Sequence, residues 1–249
     1  RIIGHRQRVQ KQAKKRGVTL AYQPADSDDA MTIALPNVDV VDMREELKAG
    51  NLSMFSRDLQ ASLTGVLERG EQAILFLNRR GQATYVFCRD CGYVVECPNC
   101  DTPMTYHRHG EAMRCHHCGH QQGAPDTCPN CTSRRIRYFG AGTQQVESAL
   151  REQFPRARIL RWDRDTASNP QKHEHILARF AEGQADILVG TQMIAKGLDL
   201  PFVTFVGVVS ADPGLALPDF RAQERAFQLL TQVAGRAGRS VLGGHVIIQ

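Results

Sequence analysis

From residue 143 onward, apolar positions fall by turns at helical spacing and in short, mainly apolar runs. Helical spacing covers about 143–154, 170–182 and 219–233, and the second of these opens on Asn169-Pro170, a cap followed by proline at the first helical position. Short, mainly apolar runs at 158–162, 186–190, 203–209 and 245–248 predict strands. The first third of the chain is less regular. Residues 1–17 form a basic stretch with helical spacing that ends at Gly17, and 23–37 hold the prolines, serine and aspartates of a linker. Val38, Val40 and Val41 predict a short strand before the charged stretch 44–48. Ser56 is placed to cap a helix whose apolar face is Leu59, Leu63, Val66 and Leu67, with Gly70 beyond its end. A compact apolar run at 73–77 then stops at the polar loop Asn78-Arg79-Arg80-Gly81.

Helices interleaved with continuous apolar strands predict an α/β fold with a parallel sheet covered on both faces. Ligands of such sheets gather at the carboxyl ends of the strands, which directs attention to the loops beginning at Asn78, Thr191 and Asp212.

The pattern is interrupted between 88 and 137. There lie Cys88/Cys91, Cys97/Cys100, Cys115/Cys118 and Cys128/Cys131, four Cys-x-x-Cys pairs that use every cysteine of the chain. Two-residue gaps let both sulfurs of a pair face one tetrahedral ion, so the run predicts two four-thiolate zinc sites. Five residues separate Cys91 from Cys97, a tight path for two pairs on one metal, whereas fourteen separate Cys100 from Cys115. If the inner pairs share one ion, the outer pairs are left for the other, and the sites nest. Gly92 and Gly119 follow the second cysteine of their pairs, where a left-handed turn aims backbone N–H groups at sulfur. His107, His109, His116, His117 and His120 are spare as ligands once the cysteines fill two sites, and read as exposed or nucleic-acid-facing.

Composition narrows the alternatives. The 249 residues are 42% hydrophobic, enough for a core, and no apolar run is long enough to span a bilayer, so no membrane partner is expected. The first residues are basic rather than apolar, which argues against a secretory signal and with it against disulfides. A net charge of +5 is offset by about −4 once eight thiolates hold two Zn²⁺, so total charge says little about nucleic acid. Catalytic zinc needs an open coordination position, which two closed four-cysteine sites do not offer.

Two further segments carry chemistry. Residues 190–201, Gly-Thr-Gln-Met-Ile-Ala-Lys-Gly-Leu-Asp-Leu-Pro, follow a strand end, and 232–239, Gln-Val-Ala-Gly-Arg-Ala-Gly-Arg, close a helix. Small residues around Arg236 and Arg239 let two guanidiniums fork onto phosphate oxygens, as an arginine finger does. The same arginines equally suit the C-terminus of a helix, where cations are favoured.

In this order the two segments resemble motifs V and VI of superfamily 2 helicases. Phe76-Leu77-Asn78-Arg79-Arg80-Gly81, Cys88-Arg89-Asp90-Cys91-Gly92, Arg114-Cys115-His116-His117-Cys118, Asp163-Arg164-Asp165-Thr166 and Gly190-Thr191-Gln192-Met193 resemble the bacterial replication-restart helicases of the PriA (primosomal protein N′) type, from about Val40 to the last residue. The resemblance implies a RecA-like second helicase lobe interrupted by a small Cys-rich module with two nested zinc sites. With the composition of the first residues, this divides the chain into a basic segment and linker at 1–37, to which the resemblance gives no role, lobe at 38–87, zinc module at 88–137 and lobe again at 138–249. It implies an ATP-dependent 3′→5′ DNA helicase that acts at stalled forks in the bacterial cytoplasm, associated with the nucleoid. The implied partners are forked DNA and single-stranded/duplex junctions, primosome proteins and single-stranded-DNA-binding proteins. It gives Arg236 and Arg239 catalytic roles at ATP, with Gln232 facing the nucleotide and Gly197 and Asp199 linking nucleotide state to DNA grip. Thr191, Gln192, Lys196, Arg79 and Arg80 become DNA contacts.

No Gly-x-x-x-x-Gly-Lys-Ser/Thr and no Asp-Glu-x-His occur in the chain. Those parts cradle phosphates and hold Mg²⁺, so ATP and Mg²⁺ are expected to need a first lobe, and the chain alone is expected to hydrolyse no ATP. The alternative is a zinc-dependent scaffold for branched DNA or a protein, without a motor role.

Overall fold

A computed structural model describes Lys14 and residues 36–78, 84–88, 90–107, 110, 112–139, 142–163, 165–195, 200, 202–211, 221–237 and 244–249. The basic stretch 1–17, read as a helix, lies outside these residues apart from Lys14.

Six strands form one parallel sheet: β1 (Asn37–Val40), β2 (Gln72–Leu77), β8 (Ile159–Trp162), β9 (Ile187–Gly190), β10 (Val203–Ser210) and β11 (His245–Ile248), in the spatial order β1-β11-β10-β2-β9-β8. The central strands read as unbroken apolar runs because both their faces are covered. Ile74, Phe76, Leu188 and Val206 point into one core, while Ala73, Leu75, Leu77, Ile187 and Val189 point into the other. The helices α2 (Arg57–Glu68) and α3 (Thr143–Gln153) supply Leu59, Leu63, Val146 and Leu150 to the second core. The first is closed by Phe180 of α4 (Pro170–Ala181) and Val233 of α5 (Ala222–Ala237). Gly207 lets α2 approach the sheet: a Cβ there would lie 2.5 Å from Leu75 Cδ2 and 3.0 Å from Leu59 Cδ1. Caps work as read, with Ser56 Oγ accepting from Leu59 N at 3.2 Å and Asn169 Oδ1 from Lys172 N at 2.8 Å.

Two departures from the sequence reading have physical causes. The charged stretch at 44–48 is a helix, α1 (Met43–Lys48), capped by Asp42. Its only buried residues are Leu47 and Glu46, and Glu46 is buried because Arg57 and Asn51 hydrogen-bond its carboxylate. The last helix continues to Ala237 rather than 233. Its inward face carries on through Arg236 and Ala237, and small residues let the end close on β11, where a Cβ on Gly244 would lie 2.3 Å from the Ala237 carbonyl oxygen.

Between β2 and α3 the chain leaves the parallel sheet and builds a second, antiparallel one. Its strands are β3 (Thr84–Cys88), β4 (Thr105–His107), β5 (Ala112–Arg114), β6 (Gln121–Gly123) and β7 (Ile136–Phe139), in the order β6-β5-β4-β3-β7. β3 and β7 pair along Tyr85↔Phe139 to Cys88↔Ile136, so the excursion leaves and returns on neighbouring strands.

Candidate metal centres and the strand-end face

The four Cys-x-x-Cys pairs adopt one local structure, repeated. The N–H groups of Cys88, Cys97, Cys115 and Cys128 each donate, at 2.8 Å, to the carbonyl five residues on. The residue after each second cysteine turns back to the first cysteine's carbonyl: Gly92 to Cys88, Asp101 to Cys97 and Thr132 to Cys128 at 2.9 Å, and Gly119 to Cys115 at 3.0 Å. All four of these residues have positive φ, +75° at Gly92, +51° at Asp101, +79° at Gly119 and +56° at Thr132. Glycine adopts that region freely; aspartate less so, and β-branched threonine rarely. The sequence signal identified the two glycine turns and passed over the other two.

These turns bring the thiols together in two sets, Cys88, Cys91, Cys128 and Cys131, and Cys97, Cys100, Cys115 and Cys118, with all four sulfurs of each set within 4.8 Å of one another. The closest approaches are 3.5 Å for Cys88–Cys131, 3.6 Å for Cys91–Cys128, 3.5 Å for Cys97–Cys118 and 3.4 Å for Cys100–Cys115. These separations are far too long for disulfides and close to the ~3.8 Å edge of a tetrahedron of sulfurs ~2.3 Å from zinc. The sets are the nested ones: outer pairs with outer, inner with inner. The donor chemistry, four thiols and no carboxylate, fits zinc.

Neighbouring donors prepare the sulfurs for a cation. Asn130 Nδ2 lies 3.5 Å from Cys91 Sγ, and with a backbone hydrogen bond at Tyr93 it lowers the Cys91 thiol to about 6. Thr102 Oγ1 sits 3.3 Å from Cys115 Sγ and 3.4 Å from Cys100 Sγ, and with the Cys118 N–H it lowers Cys115 to about 5. Burial acts the other way at Cys97, pushing its thiol up to about 12. Thr102 and Asn130 were not singled out from the sequence, since their value depends on which sulfur each one faces.

The strand-end face of the parallel sheet is built separately. Asn78, buried just past β2, donates Nδ2 to the Ala211 carbonyl past β10 at 3.4 Å, tying two loops together. After β9 the chain enters a 3₁₀ turn, Gln192–Ala195, whose Ile194 is buried beneath Gly190; a Cβ on that glycine would lie 2.7 Å from Ile194 Cδ1. Thr191 and Gln192 are half-buried, and Gln192 Nε2 finds no hydrogen-bond partner among the described residues. α5 packs against this turn and against β10. Arg236 is buried on that helix, its Nε donating to the Gln232 carbonyl at 3.3 Å, while Gln232 itself is exposed. Arg79, Arg80, Lys196, Gly197, Asp199, Asp212 and Arg239 lie outside the described residues.

The end of β8 carries a buried carboxylate. Asp163 accepts from Thr143 Oγ1, from Thr166 N at 2.9 Å and from Asp165 N at 3.0 Å, and its Oδ2 lies 3.1 Å from Arg161 Nε. Burial alone would raise this carboxyl, but the hydrogen bonds from Thr143 and Thr166 outweigh it and hold the group below the usual carboxylate range. The network fixes the loop after β8 onto the first turn of α3. No helix is long and apolar enough to cross a membrane among the described residues.

Comparison with known proteins adds two family matches. Residues 97–122 match the PriA DNA helicase Cys-rich region domain, and 129–241 match the helicase conserved C-terminal domain. The chain is 59% identical over 215 residues to the replication restart protein PriA of Bacillus subtilis, covering 86% of this chain and 27% of that protein. It is 52% identical to the PriA protein of Synechocystis (86% of this chain, 26% of that protein) and 46% identical to that of Chlamydia trachomatis (90% and 30%). The chain thus spans between a quarter and a third of the length of these relatives.

Proposed function

Because this chain belongs to the PriA family of replication restart proteins, we propose that it is the second motor lobe, carrying a two-zinc module, of an ATP-dependent 3′→5′ DNA helicase that acts at stalled forks and promotes primosome assembly. The observation that carries the reading is the insertion itself. Two complete sets of four thiols sit on an antiparallel sheet inserted between β2 and α3 of a parallel α/β lobe that matches the helicase C-terminal domain.

In this reading the eight cysteines hold two structural zinc ions. Arg236 and Arg239 stabilise charge on a phosphoryl group held by a first lobe with Mg²⁺, and Gln232 faces the nucleotide. Packing of α5 on the 3₁₀ turn supports coupling between them, because a shift of the arginine-bearing helix is felt by the loop of Thr191 and Gln192. Gly197 and Asp199 extend that link. Thr191, Gln192 and Lys196 contact single-stranded DNA phosphates, and Arg79 and Arg80 add charge. The buried Gln192 amide, whose Nε2 has no partner among the described residues, supports its assignment, since such a donor favours a ligand that supplies an acceptor. Forked DNA, primosome proteins and single-stranded-DNA-binding proteins are the proposed partners.

Neutralising Arg236 and Arg239 together in the full-length protein tests the reading. Unwinding and DNA-stimulated ATPase are expected to fall by at least a hundredfold, with fork affinity within about threefold of wild type. Loss of fork affinity with ATPase unchanged would leave a DNA-binding scaffold as the better account.

A further inference from the structure

The four-cysteine sets leave the histidines of the module unused, and two of these converge. His107 ends β4, fixed by its pairing with Ala112 of β5. His116 opens the turn after Cys115, a turn held by the hydrogen bonds of Cys115 N to His120 O and Gly119 N to Cys115 O. Both rings are exposed. Their Nε2 atoms lie 3.2 Å apart, with ring centroids 5.1 Å apart and ring planes at 61°.

A straight N–H···N hydrogen bond between two imidazoles puts both ring axes on the N···N line, and the centroids then stand about 5.5 Å apart. The shorter separation here is met when the axes converge on a point beside that line. An ion ~2.0 Å from each nitrogen, seen at the tetrahedral angle, places the nitrogens ~3.3 Å and the centroids ~5.1 Å apart. Both separations match.

We propose that His107 and His116 form a third metal site, distinct from the two thiolate sites. It would take a borderline divalent cation, Zn²⁺, Cu²⁺, Ni²⁺ or Co²⁺, which imidazole suits and which Mg²⁺ and Ca²⁺ are not. The two rings come from separately anchored backbone, so little ordering is needed to bind. No third His, Cys, Asp or Glu joins them among the described residues. An exposed two-nitrogen site is weak beside a closed four-thiolate one, and its ion exchanges. The proposal rests on the small sheet and not on the motor reading.

The test starts from the zinc-loaded chain, dialysed and counted for metal by mass spectrometry. Isothermal titration with Zn²⁺ is then run on wild type, His107→Ala and His117→Ala, the last removing an exposed neighbour. One further, weaker equivalent is expected in wild type and His117→Ala, weakened at least tenfold in His107→Ala while the dialysis-resistant zinc stays unchanged. A second measurement needs no variant. Co²⁺ added to the zinc-loaded wild type is expected to give ligand-field bands without thiolate-to-cobalt charge transfer. An equal extra equivalent in His107→Ala, none in wild type, or charge-transfer bands for the added cobalt would each overturn the proposal. The dialysed zinc count reports separately on the thiolate sites.

Discussion

The lobe and the inserted module solve the same problem with different means. The parallel sheet buries two complete faces, and Phe76, Phe180, Phe205 and Phe55 keep no accessible surface beyond about one per cent. The module has strands of three to five residues and an apolar cluster of Val86, Val95, Met104, Met113 and Ile136, in which the other fully buried members are cysteines. Ligands to a metal thus occupy the positions where the lobe places phenylalanine and leucine. A domain that folds on burial keeps its structure when an ion is removed; one whose core is made of ligands does not.

Chelation is therefore the largest perturbation. Zinc supplies roughly 10–16 kcal/mol to isolated zinc-finger peptides at neutral pH, far more than the module's apolar cluster is placed to offer. Removing metal is expected to abolish hydrogen-exchange protection over residues 84–139 while 72–77 and 187–190 keep theirs. Loss of protection in both regions together would show that the sheets do not fold independently.

The converse perturbation is smaller and points the other way. Phe76 is fully buried at the centre of the parallel sheet, and Phe76→Ala is expected to cost the lobe about 3–5 kcal/mol. Urea unfolding followed by the single tryptophan, Trp162 on β8, reads the lobe directly. The zinc count per chain is expected to stay as in wild type. A variant that loses its zinc in parallel with its tryptophan signal would join what the comparison separates.

The two regions also differed in how far they could be read beforehand. The lobe's strands were legible because burial on both faces forces unbroken apolar runs, as in Ala73 to Leu77, and its helices because Ser56 and Asn169 cap them. Where burial is achieved by a polar network, as at Glu46 in α1, the hydrophobic pattern is silent. In the module the cysteine spacing carried the information on the sites, but the antiparallel sheet did not show. Thr105–His107 and Gln121–Gly123 are too short and too polar to display a period. Donors such as Thr102 and Asn130 depend on which thiol the fold brings beside them, and no local signal marks them.

Glu46 offers a pH-resolved test of that polar network. Its carboxylate accepts from the Arg57 side chain, from Arg57 N at 3.0 Å and from Asn51 Nδ2 at 2.7 Å, and these hold it down to about 2. A carboxyl depressed in the folded state contributes stability that is fully present above its unfolded value of roughly 4.3 and disappears as pH falls through about 2. Glu46→Gln is expected to cost about 1.5–3 kcal/mol at pH 7. The gap from wild type, followed by urea unfolding at each pH, should close between those two limits. A gap that does not change with pH would mean that shape rather than charge makes the contact.

The smallest expected effect lies within the module, where one local structure is built four times with unequal residues. Gly92 and Gly119 turn through positive φ without strain, whereas Thr132 makes the same turn at +56° with a branched Cβ. A residue other than glycine in this region costs about 1–2 kcal/mol. Part of that is recovered here, since Thr132 Oγ1 donates to the Cys131 carbonyl at 2.7 Å. Thr132→Gly removes the strain, the hydroxyl bond and some rigidity of the unfolded chain at once, so a net gain below about 1 kcal/mol is expected. The same logic runs in reverse at Gly92, whose φ of +75° strains any L side chain and where a Cβ would lie 3.1 Å from Arg44 Cδ, so Gly92→Thr is expected to weaken metal retention while Thr132→Gly strengthens it. Zinc release to a colorimetric chelator, timed for both variants, measures the pair. If the two shift the rate in the same direction, the four turns are not equivalent, and metal retention is set by the surroundings of each pair rather than by the turn they share.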